Sequence, residues 1–104
     1  MNYIMVFVTA SSEEEALKIA DALIDSKAAA CVNIIPKVKS VFMWEGKRDI
    51  AEECLMVIKT RKDKFQGLKQ KVGELHSYDV PEIISVAIDD GERSYLNWIN
   101  EALC

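Results

Sequence analysis

Apolar runs typical of strands alternate along this chain with apolar residues at helical spacing. Together these patterns predict four strands and three helices. Residues 3–8 are apolar without alternation, which is typical of a strand buried on both faces, usually a parallel central one. Ser12 and Glu15 fit a capping box at an acidic helix start, and apolar residues then recur at helical spacing. The predicted strands are residues 3–8, about 30–44, about 52–61 and 83–88, and the predicted helices are about 13–27, 63–75 and a short segment after Gly91.

The second and third predicted strands form one long hairpin around a turn near residues 45–47. Both arms are far longer than the roughly 5–6 residues of a typical strand. Pro36 lacks a backbone donor, so it is predicted at a bulge or on an edge, where it divides the ribbon into an inner and an outer half. The charges of residues 47–53 are interpreted as a solvated turn. The surplus length predicts a role in holding copies of the chain together.

The order of the elements predicts an α+β fold, a ferredoxin-like βαββαβ sandwich with an extra C-terminal helix, in a single domain spanning residues 1–104. Right-handed crossovers place both main helices on one face of the sheet. The strands are nevertheless apolar on both faces. Because exposed apolar patches of that size are rare on monomers, a partner is expected to cover the open face, and cyclic self-association is the simplest way to supply it.

Composition narrows the class of protein. The 104 residues carry a net charge of −4, which argues against nucleic acid as the main partner, because phosphate binding favours a basic face. No apolar run approaches the ~20 residues of a membrane span, and no signal-peptide pattern opens the chain, so the expected location is cytoplasmic. Cys31, Cys54 and Cys104 are odd in number and not paired at short spacing, which argues against disulfides or a structural zinc site.

Five separated motifs resemble the CutA divalent-cation tolerance proteins. They are Ala-Ala-Ala-Cys-Val-Asn-Ile-Ile-Pro at 28–36, Trp-Glu-Gly-Lys at 44–47, Lys-Thr at 59–60, Leu-His-Ser-Tyr-Asp-Val-Pro-Glu-Ile at 75–83 and Tyr-Leu-Asn-Trp at 95–98. The resemblance covers essentially the whole chain. It implies the ferredoxin-like fold, a tight homotrimer like that of the nitrogen-regulatory PII signalling proteins, and an association with copper and other divalent cations.

The resemblance also implies ligand positions. In some members a cysteine ending the first strand and two adjacent histidines are implicated in copper binding. This chain has Val8 at the first position and Leu75 with His76 at the second, and Ser77 stands where the family usually has proline. Only His76 of that ligand set is present.

Two residues are candidate metal ligands. His76 is the single histidine, and one imidazole cannot make a tight copper or zinc site, which usually needs three or four ligands. It is therefore either a ligand completed by neighbouring chains or a loop histidine that makes hydrogen bonds. Cys31 offers the thiolate that Cu(I) favours, with buried packing as the alternative interpretation.

Four polar residues form a candidate ligand cleft: Asn33, Lys59, Tyr78 and Glu82. Lys59 lies in an otherwise apolar strand, so it needs a partner, and Glu82 is the predicted one. One interpretation is a cleft between subunits where Lys59 and Tyr78 meet an anionic small molecule. The other is a structural ion pair that locks the loop onto the sheet.

Trp44, near the ribbon tip, is predicted to lie in the trimer interface. No phosphate-binding glycine loop, nucleophile elbow or other catalytic constellation is present, so an enzyme is not expected. The leading hypothesis is a non-enzymatic homotrimer that binds copper or another divalent cation weakly, with no cofactor needed for folding. The alternative is a PII-like signalling module that binds an anionic small molecule between subunits.

Overall fold

Four strands and three α-helices form in the order expected from the sequence. The structure is a computed structural model and describes residues 2–104. The elements are β1 (Tyr3–Ala10), α1 (Glu13–Asp25), β2 (Cys31–Trp44), β3 (Lys47–Arg61), a 3₁₀ turn (Lys62–Lys64), α2 (Phe65–Leu75), β4 (Ile83–Ala87) and α3 (Arg93–Ala102). The expectation of a mixed α+β chain with an additional C-terminal helix is confirmed.

The sheet is antiparallel, with strand order β2-β3-β1-β4. β1 is central, as expected, but it runs antiparallel to both neighbours, so the parallel setting inferred from its apolar run is wrong. Side chains of β1 alternate between fully buried and half-buried. Its continuous apolar character therefore comes from two faces that are both largely shielded, rather than from parallel pairing.

The core lies between one face of the sheet and two helices. Ile19 of α1 and Leu68 of α2 are completely buried, and they pack in one cluster with Val6 of β1 and Met56 and Ile58 of β3. Burying one such side chain stabilises the fold by roughly 1.5–3 kcal/mol. No helix within residues 2–104 has the length and apolar character needed to cross a membrane.

β2 and β3 continue beyond the rest of the sheet as a two-stranded ribbon. β1 pairs with β3 only as far as Cys54, so residues 47–53 pair with β2 alone and project by roughly 23 Å at about 3.3 Å per residue. The third strand thus begins at Lys47 rather than near Glu52, and the charges interpreted as a solvated turn belong to the ribbon. The molecule is 44 Å long and only 22 Å thick.

Two local features shape the ribbon. The pairing shifts register between Ile35 and Val38, so Pro36 lies at a bulge, as predicted, and Lys37 next to it has φ of 60°. At the tip, Glu45 and Gly46 both have positive φ, 50° and 78°. Two central residues with positive φ are what a tight type I′ hairpin turn requires.

α3 packs on the face of the sheet that α1 and α2 leave open. Its Ile99 is fully buried, and Asn100 accepts a 2.7 Å hydrogen bond from Nη1 of Arg61 at the end of β3. α3 covers only that end. The remaining open face and the ribbon expose large apolar side chains: Ile35, Val41, Phe42, Met43, Trp44, Ile50, Ile84 and Val86.

Candidate functional site

His76 lies at the junction between α2 and the loop that follows it. It caps the helix with an extended backbone, and its N–H donates to the carbonyl of Val72. Its side chain is 0% exposed. The backbone N–H of Tyr78 donates to Nδ1 at 3.0 Å, and Nε2 lies 2.7 Å from the carbonyl oxygen of Thr9. Because Nδ1 accepts, Nε2 carries the proton and donates, which defines a neutral imidazole in one tautomer.

Glu15 forms the second part of this polar cluster. Ser12 caps α1 through the N–H of Glu15, as predicted, but the Glu15 carboxylate turns to Ser11, accepting from its N–H and Oγ at 2.9 Å each. It also accepts from the N–H of Ser77 at 2.8 Å. Burial by itself would raise the pKa of Glu15, but the hydrogen bonds from Ser11 and Ser77 outweigh it and lower the pKa from 4.5 to about 2. Glu15 is therefore firmly ionised.

Tyr78 and Glu53 form the third part, at the root of the ribbon. The Tyr78 hydroxyl donates a 2.8 Å hydrogen bond to Oε2 of Glu53, a carboxylate that is largely buried. Burial, together with the hydrogen bond and negative charge of Glu53, raises the pKa of Tyr78 to about 12. The Tyr78 ring lies 4.7 Å from the His76 ring, centroid to centroid. The loop after α2 is thus attached to α1, β1 and β3 at once.

Lys59 lies on the open face, away from the cluster of His76, Glu15 and Tyr78. Its ammonium donates to Oδ1 of Asn33, and its strand position is opposite Cys31 of β2 and Met5 of β1. Within residues 2–104 it forms no salt bridge, so the predicted pairing of Lys59 with Glu82 does not occur. The register explains this. Glu82 immediately precedes Ile83, which is opposite Val8, whereas Lys59 is opposite Met5.

The four predicted cleft residues therefore fall into separate groups in one chain. Asn33 and Lys59 are in contact, but Tyr78 binds Glu53, which precedes Lys59 by six residues on the same strand. At about 3.3 Å per residue this separates the two groups by roughly 20 Å. Glu82 is exposed and joins neither group. One subunit alone does not assemble the predicted cleft.

Cys31 is half-buried at the start of β2, under α3. Burial, and then the neighbouring Cys31 thiol, raise the pKa of Tyr95 on α3. Cys31 is opposite Lys59 and therefore level with Met5 of β1, while His76 binds Thr9 of the same strand. Four residues of strand, roughly 13 Å, separate the two candidate metal ligands.

The two predicted metal ligands are therefore poorly arranged to bind a divalent cation. Both ring nitrogens of His76 are engaged, and Cys31 is remote from it. In the part of the chain that the structure describes, no three side chains of His, Cys, Asp or Glu approach closely enough to hold a metal ion. Two open surface hollows of about 460 and 470 Å³ lie at the opposite end of the sheet, around Arg61 and around Asp89 and Asp90, and neither includes a predicted site residue.

Sequence reasoning missed the acidic members of the cluster. The sequence pattern places Glu15 in a helix start and Glu53 in a turn, yet both bind the loop after α2. The contact between Ser77 and Glu15 spans 62 residues of sequence. The only sequence signal for these contacts is that the loop contains a histidine and a tyrosine next to residues that can accept or donate hydrogen bonds.

Comparison with known proteins identifies relatives along nearly the full chain. The divalent-cation tolerance protein CutA of Archaeoglobus fulgidus is 45% identical over 98 residues, covering 94% of this chain and 95% of the relative. A chloroplastic CutA protein of Arabidopsis thaliana is 41% identical over 99 residues, covering 95% of this chain and 54% of the relative. The solved structure of the A. fulgidus protein superposes with a TM-score of 0.94 at 44% identity, covering 97% of this chain and 98% of that one.

These relatives contradict the predicted cytoplasmic location. The Arabidopsis relative is described as chloroplastic and the A. fulgidus structure as that of a periplasmic protein. The prediction rested on the lack of a recognisable targeting pattern, and the same fold evidently serves in several compartments. A cytoplasmic location does not follow from the sequence.

The family assignment agrees with both the sequence motifs and the fold. The family model described as CutA1 divalent ion tolerance protein matches residues 4–102. That range includes the whole sheet except Tyr3, both helices that cover it and all of α3. This chain belongs to the CutA1 divalent ion tolerance protein family.

Proposed function

We propose that this chain acts as a non-enzymatic homotrimeric module in divalent-cation tolerance. The observation that carries the proposal is the exposed apolar surface of the open face and of the ribbon, where Ile84 is 55% and Trp44 is 60% exposed. A monomer rarely leaves so much apolar surface in water, and the ribbon is long enough to reach a second subunit. Closed cyclic association covers the face of every subunit equally.

Sedimentation equilibrium tests the association. The expected mass is about 35 kDa, for three chains of 11.7 kDa each, at micromolar concentration. Ile84→Asp should shift the equilibrium strongly towards monomer, because it places a charge on the proposed interface. Leu17→Asp is the matched control, since Leu17 is also 55% exposed but lies on α1 away from the open face. A compact wild-type monomer would overturn the proposal.

The geometry also supports a function other than catalysis. Ser77, the one hydroxyl beside the histidine in sequence, has its Oγ 3.5 Å from Oγ of Ser11 rather than bound to the imidazole. His76 has no free nitrogen with which to accept a proton, so the pair cannot act as nucleophile and base in this arrangement. Binding and assembly remain the activities that this arrangement favours.

The link to cations is proposed to be weak binding of copper or a similar divalent ion at the surface or at subunit boundaries, where neighbouring chains bring ligands together. Isothermal titration of the wild-type protein with Cu(II) and with Zn(II) tests this. We expect a saturable heat whose stoichiometry corresponds to a whole number of ions per three subunits. The absence of a saturable heat with either ion would remove the metal proposal and leave the assembly proposal intact.

A PII-like role, with an anionic small molecule bound between subunits, is the second candidate. It is favoured by Lys59, which is half-buried and has an amide rather than a carboxylate as its partner. Association could bring the Lys59 group of one chain near the Tyr78 group of another. Thermal-shift screening of nucleotides and organic acids tests it: a stabilisation lost in Lys59→Met but kept in Lys18→Met, on the outside of α1, would favour this role.

A further inference from the structure

The His76 imidazole has no free lone pair. A metal ion binds an imidazole through an unprotonated nitrogen. Nε2 carries the proton that it donates to the Thr9 carbonyl at 2.7 Å, and the lone pair of Nδ1 accepts the N–H of Tyr78 at 3.0 Å. Both positions at which a cation could bind are therefore filled by the backbone of the same chain.

The surroundings oppose any rearrangement that would free a nitrogen. The side chain is 0% exposed, and the Tyr78 ring packs beside it at 4.7 Å. Turning the ring out would leave a backbone N–H and a carbonyl without their partners, which is costly in a buried position. The nearest carboxylate, Glu15, has Oε1 4.0 Å from Nδ1, but its oxygens already accept three hydrogen bonds from Ser11 and Ser77.

We propose that His76 has a structural role in this chain, through the two hydrogen bonds of its side chain, and is not a metal ligand. It joins the end of β1 to the loop that follows α2, and so holds Ser77 against Glu15 and Tyr78 against Glu53. Cation binding by this protein then uses other groups. The proposal does not depend on trimer formation, because every contact that supports it lies within one chain.

Nitrogen NMR of the imidazole tests whether His76 can act as a metal ligand. The chain has one histidine, so the spectrum contains one side-chain imidazole and needs no assignment. Two-bond ¹⁵N–¹H correlation near neutral pH should identify the tautomer with the proton on Nε2, and adding Zn(II) should leave both nitrogen shifts unchanged. A proton on Nδ1, or a Zn(II)-dependent shift of either nitrogen, would overturn it.

Three substitutions test the structural role of His76 by separating its two side-chain hydrogen bonds. The amide nitrogen of His76→Gln can replace the Nε2 donor, the carbonyl of His76→Asn can replace the Nδ1 acceptor, and His76→Ala replaces neither. We expect His76→Ala to lower Tm by several degrees and each amide variant to recover part of the loss. Equal Tm in the wild type and all three variants would mean that the His76 side chain does not stabilise the fold.

The same variants decide the metal question. Affinity for Cu(II) and Zn(II), measured on folded His76→Gln, should match the wild type within about twofold. A loss of affinity of about tenfold or more in His76→Gln, at preserved secondary structure, would identify the imidazole as a ligand and overturn the proposal. If His76→Ala fails to fold, His76→Gln and the NMR measurement still give the answer.

Discussion

The two faces of the sheet have similar apolar residues but different surroundings. On the face covered by α1 and α2, Val6, Met56 and Ile58 are completely buried. On the other face, α3 covers one end only, and Ile84 and Val86 of β4 remain largely exposed. One chain is sufficient to shield the first face and insufficient for the second. The apolar content of this sequence therefore exceeds what its own tertiary structure buries.

The ribbon extends this difference beyond the sheet. Near its tip, Phe42 and Trp44 lie on one side and Val41 and Met43 on the other, and all four are exposed. The outer part of the ribbon is held together by the backbone pairing of β2 with β3. Stability of the covered face should therefore depend on the single chain, whereas the open face and the ribbon should contribute through association.

The largest expected effect is on the covered face. Leu68→Ala on α2 leaves a cavity under the helices and should lower the free energy of unfolding by about 2–5 kcal/mol. Leu17→Ala, the same substitution at an exposed position of α1, should change it by less than about 0.5 kcal/mol. Urea unfolding monitored by circular dichroism measures both. Similar losses for the two leucines would mean that the covered face is not the main source of stability.

The next effect tests the ribbon. Trp44→Ala should weaken association by about 2 kcal/mol, roughly 30-fold in affinity, because tryptophan at the centre of an interface is a frequent hot spot. Sedimentation velocity over a concentration series measures the change. Ile24→Ala, at an exposed position of α1, is the control and should leave association unchanged. If Trp44→Ala associates as the wild type does, the ribbon tip lies outside the interface.

The elements of the fold were predictable because they depend on short-range patterns. Helical spacing identified α1 and α2, and the missing donor of Pro36 identified the bulge. The start of β3 at Lys47 was not predictable in the same way, since residues 47–52 are held by pairing with β2 rather than by burial. Charged residues on an exposed ribbon resemble a turn when only their polarity is considered.

The candidate site was harder to predict because it depends on register and on distant loops. Lys59 is a polar residue within an apolar strand and Glu82 immediately precedes another, and nothing in the sequence fixes the distance between them. The pairing of β1 with β3 and β4 does so, and places them several residues apart along the sheet. Conversely, Glu15 and Ser77 meet only because the start of α1 lies beside the start of the loop after α2.

A smaller effect concerns Glu15, which ties the loop to the covered side of the sheet. Its pKa of about 2 in the folded protein is below the ordinary 4.5, so its contribution is fully present above about pH 4.5 and is lost as the pH falls towards about 2. Glu15→Gln should therefore cost about 1.5 kcal/mol near neutral pH, and the gap from the wild type should close across that acidic interval.

Unfolding followed from neutral to acidic pH measures that gap. Glu14→Gln is the control, because it removes a charge from the same helix turn at an exposed position without a hydrogen bond to the loop. It should have a much smaller effect at every pH. A gap between Glu15→Gln and wild type that stays constant as the pH falls would contradict the depressed pKa of the carboxyl.

The smallest effects come from two glycines, one in the ribbon and one in a covering helix. A Cβ added at Gly46 or at Gly73 meets no atom within 4 Å, so neither substitution causes a clash. Gly46 has φ of 78°, a conformation that alanine disfavours, so Gly46→Ala should destabilise by about 1 kcal/mol. Gly73 is helical, and Gly73→Ala should stabilise by up to about 1 kcal/mol. Urea unfolding of both variants should give opposite signs, and the same sign for both would mean that local backbone preference does not govern either position.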